Sequence, residues 1–567
     1  MQVCDRVSSA VCPPFALGSD IVPVVINGPS RRALIAGTFA SLAIPSSAAA
    51  AERGGLPSRP NIVVILADDL GWGEIGVQGQ RLISTPNLDR MAAEGVRFEA
   101  AYSGAPLCAP SRCALLTGLH AGHGTVRENP EGGPQLSLTD ADLTFAELLQ
   151  LSGYRTACVG KWGFGPEQPD QVSHPNLRGF DEFFGYIGHR HAHQYFPEYL
   201  WHNGVRVQLD GRSYAPHLFR ERAVEFIQEG GEDPFLLYFA TNLPHSPSVI
   251  AGDAGPYEDR PWSGPNRRHA AQVARLDTDV AALLRALRDA GVAERTLVLF
   301  TSDNGPHREK GVTPRLFNSN GPFRGDKREV YEGGIRVPLI AWSPRLRPRV
   351  VKQPVASWDV LPTLADLAEA PVPAHLDGIS FRGLLTGAGA PQHEHLVWNR
   401  PRKAQAIRRG RWKAIRFAPN IAGAGPDGRI ELYDLAADPG ERLDLAPARP
   451  DLTDELMIAL DESIGPDPRI PYGLKTQISG NEIVVTLHNG STMPWNEVKL
   501  GLDGLRKVRA HTVARVDPGM AIAVGFQLPA RSRGRVMVLA DFEAGGRPQL
   551  FRKVHRTNTF PADVLAR

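Results

Sequence analysis

From Ile62 to Ala67 the chain is apolar at every position, within the run NIVVILA that starts at Asn61. Such a run, rich in β-branched residues and lacking alternation, predicts a strand covered on both faces, as in a parallel sheet. Similar runs predict further strands at Arg155–Val159, Phe235–Ala240, Thr296–Thr301 and Val337–Trp342. Helical spacing lies between them. One stretch opens with Pro86 in its first turn and ends at Gly95. A longer one, Arg267–Ala290, places Val273, Leu276, Val280, Leu283, Leu284 and Leu287 on one face. Strand–helix alternation over about 300 residues predicts an α/β sandwich with a mostly parallel central sheet. In such sheets ligands sit beyond the carboxyl ends of the strands.

After residue 375 the pattern shortens. His395–Asn399, Ala404–Arg408, Lys413–Arg416 and Glu431–Asp434 predict a small antiparallel sheet, followed by a helix near Leu452–Ile464. A Pro-rich stretch, GPDPRIPYG, leads to six short runs: Glu482–His488, Glu497–Leu502, His511–Val516, Met520–Leu528, Arg535–Phe542 and Leu550–Val554. Their turn-marked spacing predicts a separate β-sandwich. The expected organisation is therefore a catalytic α/β domain at 60–375, a C-terminal α+β subdomain at 376–466 and an accessory β-sandwich at 470–567.

Composition narrows the function classes. Among 567 residues, 63 Lys and Arg face 61 Asp and Glu, a formal net charge of +2. With no cationic excess to release counterions, a general nucleic-acid binder is excluded. No apolar run reaches the ~18 residues that span a bilayer. The N-terminus reads instead as an address. Ser30-Arg31-Arg32 precede a mild apolar stretch to Pro45 and small residues from Ser46 to Ala51. That order predicts a twin-arginine-type signal over residues 1–51 and export to the periplasm or beyond; residues 1–28 are long for such a signal and add no pattern. Cleavage near Ala51 would leave Cys108, Cys113 and Cys158, an odd number. Cys113 and Cys158 could pair or remain buried thiols.

Candidate chemistry sits at strand ends. Asp68-Asp69 follow the first buried strand, and Asp303-Asn304 follow TLVLFTS. Either doublet alone could cap a turn. Together, three carboxylates and an amide oxygen suit a hard divalent cation, Ca²⁺ or Mg²⁺. Cys108-Ala109-Pro110-Ser111-Arg112 lies in a Gly/Pro loop at the start of an apparent helix. There a helix N-terminus and an adjacent arginine would stabilise a thiolate.

From Pro60 to Leu445 the chain resembles the type I sulfatases of the alkaline-phosphatase-like superfamily. The resemblance rests on NIVVILADDLGWGEIG, STPNLDRMAAEGVRF, CAPSRCALLTG, GYRTACVGKW, NLPHSP, FTSDNG, GPFRGDKREVYEGGIRVP and ELYDLAADPGERLDL, in family order. It implies that a formylglycine-generating enzyme oxidises Cys108 to Cα-formylglycine, whose hydrate is the nucleophile. It also implies that Asp68, Asp69, Asp303 and Asn304 bind Ca²⁺ together with residue 108. By the same resemblance Arg112, Lys161, His245 and Lys327 hold the sulfate or protonate the leaving group. Apart from it, Lys161 and Lys327 read as solvated charges and His245 as a turn residue.

One departure stands out. Many family members carry a histidine two residues after the lysine of G-K-W, where this chain has Gly163. The run Gly188-His189-Arg190-His191-Ala192-His193 offers substitutes, with His193 favoured over His191 and His189 expected on an exposed strand or loop. The implied activity is hydrolysis of a sulfate monoester, of a sugar or an aryl group. Two alternatives share the scaffold: a phosphate or phosphonate monoester hydrolase, and a non-catalytic glycan-binding protein.

Overall fold

The apolar run at Asn61–Ala67 (β1) divides its side chains between two cores. Ile62, Val64 and Leu66 pack with the helices Cys108–Thr117, Phe145–Leu151 and Val360–Leu367. Val63, Ile65 and Ala67 face the helices Pro86–Glu94, Ala215–Gln228 and Gly264–Asp289. Helices on both faces explain the lost alternation. In this computed structural model residues 55–556 are described, except 130–133, 374, 402, 419–427, 465–471, 480–481, 490–494, 504–508, 517–519, 528–534 and 545–546. The signal reading of 1–51, with Cys4 and Cys12, and the Pro-rich segment 465–471 lie outside the described residues.

The other strands of the central sheet are β2 (Val96–Phe98), β3 (Arg155–Lys161), β4 (Glu182–Tyr186), β5 (Tyr199–His202) and β6 (Val205–Gln208). They continue with β7 (Phe235–Ala240), β8 (Thr296–Ser302), β9 (Leu339–Trp342) and β10 (Arg349–Val351). The order is β10-β2-β9-β8-β1-β7-β3-β4-β5-β6. Neighbours from β8 to β4 pair parallel, whereas β9 runs antiparallel to β8 and β2, and β5 and β6 form antiparallel edges. The sheet is thus α/β and mostly parallel, with a mixed periphery. The edge strands escape the hydrophobic pattern because they are short and mixed in polarity; β6 is exposed along its whole length.

Register positions the site. β1 pairs with β8 from Asn61↔Thr296 to Ala67↔Ser302, which carries Asp68 alongside Asp303. Gly160↔Ala240 closes the β3–β7 ladder one residue before Lys161. At Gly160 φ is 113°, and a Cβ would lie 2.1 Å from the Ala240 carbonyl oxygen, so only glycine lets the strand deliver Lys161 there.

The later segments follow the expected order. Leu396–Arg400, Ala404–Arg409, Trp412–Phe417 and Arg429–Asp434 form an antiparallel meander, backed by the helix Pro450–Glu462. Among the described residues between Tyr472 and Arg556, seven strands form two antiparallel sheets, of three and four strands. Tyr472–Ser479, which no apolar run marks, is the extra one. Cys108, Cys113 and Cys158 are free, buried thiols.

A buried ion cluster ties the meander to the loop that carries Lys327. Lys413 Nζ lies 3.1 Å from Glu332 and 2.8 Å from Glu441, and both lysine and glutamates are sequestered from solvent. Glu332 also accepts from Tyr102 and pairs with Arg336 at 3.2 Å. Removing the lysine takes from buried Glu441 the ammonium it pairs with and leaves Glu332 to Arg336 and Tyr102, so Lys413→Met is expected to cost about 3–5 kcal/mol of stability. The midpoint of chemical denaturation measures this; a loss below about 1 kcal/mol would show that the cluster anchors nothing.

Candidate active site

Four loops at the carboxyl ends of adjacent strands deliver the acidic and basic groups, and a helix start delivers Cys108. Asp68-Asp69 leave β1, Asp303-Asn304 leave β8, Lys161 ends β3, and His245 follows β7. Cys108 is the first residue of Cys108–Thr117, with Arg112 one turn on. Lys327 comes from the loop before β9. Asp69 has φ 69°, a left-handed conformation that is strained for a non-glycine residue. Its N–H donates to Asp303 Oδ1 at 3.0 Å, which helps fix that conformation.

The charges pair three on three. Lys161 Nζ sits 2.6 Å from Asp68, Lys327 Nζ 2.7 Å from Asp69, and Arg112 2.9 Å from Asp303. All six groups are buried. Burial disfavours ionisation of Asp68 and Asp69, but the basic groups around them, Lys161 foremost for Asp68 and Lys327 foremost for Asp69, together outweigh it, and both stay below the usual carboxylate range. Burial and then the Asp68 charge push Asp303 up to about 7, against Arg112.

The residues fit a divalent cation. Asp68 Oδ1 and Asn304 Oδ1 are buried acceptors with no hydrogen bond, and such orphaned oxygens call for a partner. With Asp69 and Asp303 they form an all-oxygen set of the kind hard cations take. Asn304 Nδ2 donates to Asp69 Oδ1 at 2.7 Å, and the Cys108 sulfur lies 3.8 Å from that same oxygen.

Two expectations need correction. The Cys108 thiol is not a stabilised thiolate. Burial pushes its pKa well up; Lys161 and Lys327 pull the other way without prevailing, and Asp303 and Asp68 add to the rise. Nor does His189 lie on an exposed strand or loop: it is half-buried, and its ring makes edge contacts with His193 and His245 at centroid distances of 4.9 and 6.1 Å. His193 stacks on His245 at 4.6 Å, whereas His191 turns away to Glu167, with Nδ1 2.5 Å from Oε1.

His245 and His193, whose rings stack beside the cluster, are neutral near pH 7. Burial, then Lys327, holds His245 well below the usual imidazole range; burial, then Lys161, lowers His193 to about 4. His245 Nδ1 lies 2.5 Å from the Ser246 carbonyl and so carries the proton, leaving Nε2 to accept from Lys327 Nζ at 3.0 Å. At Gly163 φ is 94°, a backbone that a histidine would enter only with strain, and the Arg112 Cδ lies 3.4 Å from where a Cβ would sit.

Comparison with known proteins decides the family. Residues 60–370 match the profile described as Sulfatase, and residues 323–463 match N-sulphoglucosamine sulphohydrolase, C-terminal. The chain belongs to the sulfatase family. It is 32% identical over 467 residues to the N-acetylgalactosamine-6-sulfatase of Canis lupus familiaris, covering 72% of this chain and 86% of that one. Human arylsulfatase A is 34% identical over 457 residues, covering 71% and 86%. The crystal structure of Ps i-CgsB with k-i-k-neocarrahexaose superposes with a TM-score of 0.64 at 28% identity, over 72% of this chain and 94% of the other. The protein is thus an enzyme that hydrolyses sulfate esters, and the non-catalytic reading is set aside.

Some neighbours of this sulfatase's site carry no sequence signal. His307 is buried, 6.2 Å from the His245 ring, and Glu309 lies 3.9 Å from Lys327 Nζ. Glu167 gathers His191, Tyr199 and Trp201 around one oxygen. Only DNGPH hints at His307, three residues past Asn304. The others meet through loops whose paths no periodicity encodes.

Proposed function

We propose that this sulfatase is exported, binds Ca²⁺ in preference to Mg²⁺, carries Cα-formylglycine at position 108, and releases sulfate from a carbohydrate monoester. The observation that carries this reading is Cys108, fully buried at a helix start within hydrogen-bonding range of Asp69. A thiol held so far from ionisation gains reactivity by being converted, and the converted side chain would supply the attacking hydroxyl. Asp68, Asp69, Asp303, Asn304 and residue 108 would hold the cation, whose charge would draw the sulfate oxygens and offset charge in the transition state.

The chain's own groups do the rest. Arg112, Lys161 and Lys327, each paired with one of the three carboxylates, would turn to the sulfate oxygens and fix them for in-line attack. Lys327, hydrogen-bonded to the neutral His245, is placed to give the leaving oxygen its proton. His193 Nε2 is buried and unpartnered, a free base beside His245 where the family histidine is missing. His193→Ala should lower kcat about 100-fold; steady-state rates check it, and wild-type turnover in both His193→Ala and His191→Ala would remove the substitution idea. A carbohydrate substrate is supported by relatives named for N-acetylgalactosamine 6-sulfate and by a neighbour solved with a neocarrahexaose. Export is supported by the paired arginines and small-residue run before Glu52, and N-terminal sequencing of periplasmic protein tests it.

Peptide mass spectrometry tests the central claim. Made with a formylglycine-generating partner, the peptide Phe98–Arg112 should be about 18 Da lighter than its cysteine form. That protein should then hydrolyse an aryl sulfate at least about 100-fold faster than the matched aryl phosphate. The reverse ratio would establish the phosphatase alternative.

A further inference from the structure

A cavity of about 250 Å³ adjoins the reacting residue, and its lining reads chemistry beyond the sulfate. Ala109, the neighbour of Cys108, forms part of its wall; so does His189, whose ring meets His193 and His245. It therefore opens one residue from position 108, within reach of a group joined to the sulfate. Glu128, Glu167 and Arg190 supply its charges, two carboxylates against one guanidinium, and Asn129 and Gln135 add amides.

Glu167 is built into place. Its Oε1 accepts from His191 Nδ1 at 2.5 Å, Tyr199 Oη at 3.0 Å and Trp201 Nε1 at 3.1 Å. Three donors saturate one oxygen, which leaves Oε2 as the acceptor available to a ligand. Burial works against the charge, but the hydrogen bonds from His191 and Trp201 prevail and keep the carboxyl below its usual range. The side chain is still 28% exposed, so a ligand can reach it. Gln135 braces the same wall, donating to the Gly163 carbonyl at 2.6 Å and accepting from the His189 N–H at 2.8 Å.

We propose that Glu167 is a specificity-determining residue whose oriented carboxylate accepts hydroxyl groups of a neutral sugar and turns away sugars bearing a second negative charge. The proposal rests on the sulfatase reading and deepens it. A fixed acceptor desolvated by a bound ligand strongly prefers a partner with O–H donors. A uronate carboxylate placed against Oε2 would be repelled by Glu167 itself. An aryl leaving group has no hydroxyl to offer and tests the catalytic centre alone.

The experiment compares three probes on the converted enzyme: monosulfated methyl galactosides, sulfated glucuronate and 4-nitrophenyl sulfate, with sulfate release measured by ion chromatography. Wild type should favour the best neutral galactoside over sulfated glucuronate. In Glu167→Gln the galactoside-to-aryl ratio of kcat/KM should fall at least about 10-fold, the scale of one lost charged hydrogen bond. Discrimination against glucuronate should shrink with it. Glu167→Asp, which keeps the charge but withdraws it from the three donors, should lower the same ratio. An unchanged ratio, an equal loss on galactoside and aryl sulfate in both variants, or a wild type that prefers glucuronate would overturn the proposal. If wild type released sulfate from none of the probes, the sulfatase reading itself would fail, which the aryl probe distinguishes.

Discussion

A Cys108→Ser chain captures one sulfate and keeps it. The serine hydroxyl would occupy the position of the cysteine sulfur, 3.8 Å from Asp69 Oδ1, with Arg112, Lys161 and Lys327 still present to orient a sulfate ester. Attack on sulfur expels the alcohol and leaves a sulfated serine. A serine has no second hydroxyl whose deprotonation could expel the sulfate, so turnover stops after one event. Intact mass should show a single adduct of about 80 Da after incubation with an aryl sulfate, with steady-state activity down at least about 10⁴-fold. Cys108→Ala should lose the same activity and gain no mass. Multiple turnovers by the serine chain would show that release of sulfate does not need the converted side chain.

Removing divalent cations should cost about 10³-fold in kcat/KM, roughly 4 kcal/mol of transition-state stabilisation. The physical reason is the three-on-three pairing. A divalent cation among Asp68, Asp69 and Asp303 would compete for the carboxylates that lie 2.6–2.9 Å from Lys161, Lys327 and Arg112, and would leave those three groups better partners for sulfate. Activity measured against buffered free Ca²⁺ after chelation should return to the starting rate, with Mg²⁺ less effective. Ca²⁺ should also raise the melting temperature, because ligand that binds only the folded chain stabilises it. Full activity in protein shown metal-free by elemental analysis would remove the cation from the reaction.

The central strands were legible because burial on both faces leaves a mark no other environment leaves. Ile62–Ala67, Phe235–Ala240 and Thr296–Thr301 are apolar enough to be seen one by one, and the structure extends each by no more than a residue at either end. The peripheral strands β2, β4, β5, β6 and β10 were not, since short strands of mixed polarity leave no continuous apolar run. Site residues followed the same divide. Asp68, Asp69, Asp303 and Asn304 stood out at the ends of visible strands. His189 was misplaced because a histidine in a loop carries no period, and its packing against His193 and His245 depends on where that loop folds.

Local sequence alone determined the strand cores, the long helix near Gly264–Asp289, the acidic doublets and the cysteine at a helix start. Those properties arise from neighbours within a few residues, where side-chain polarity and spacing act directly. Tertiary structure decided which distant groups meet. The β1–β8 register brings Asp68 beside Asp303, and Gly160 lets β3 end with Lys161 against Asp68. It also decided their chemistry. The same Cys108 that looks activated beside Arg112 has its thiol pushed up by complete burial, and Glu167 acquires an oriented carboxylate only where His191, Tyr199 and Trp201 converge. Desolvation and convergence depend on the whole fold, because both are set by atoms far away in the chain.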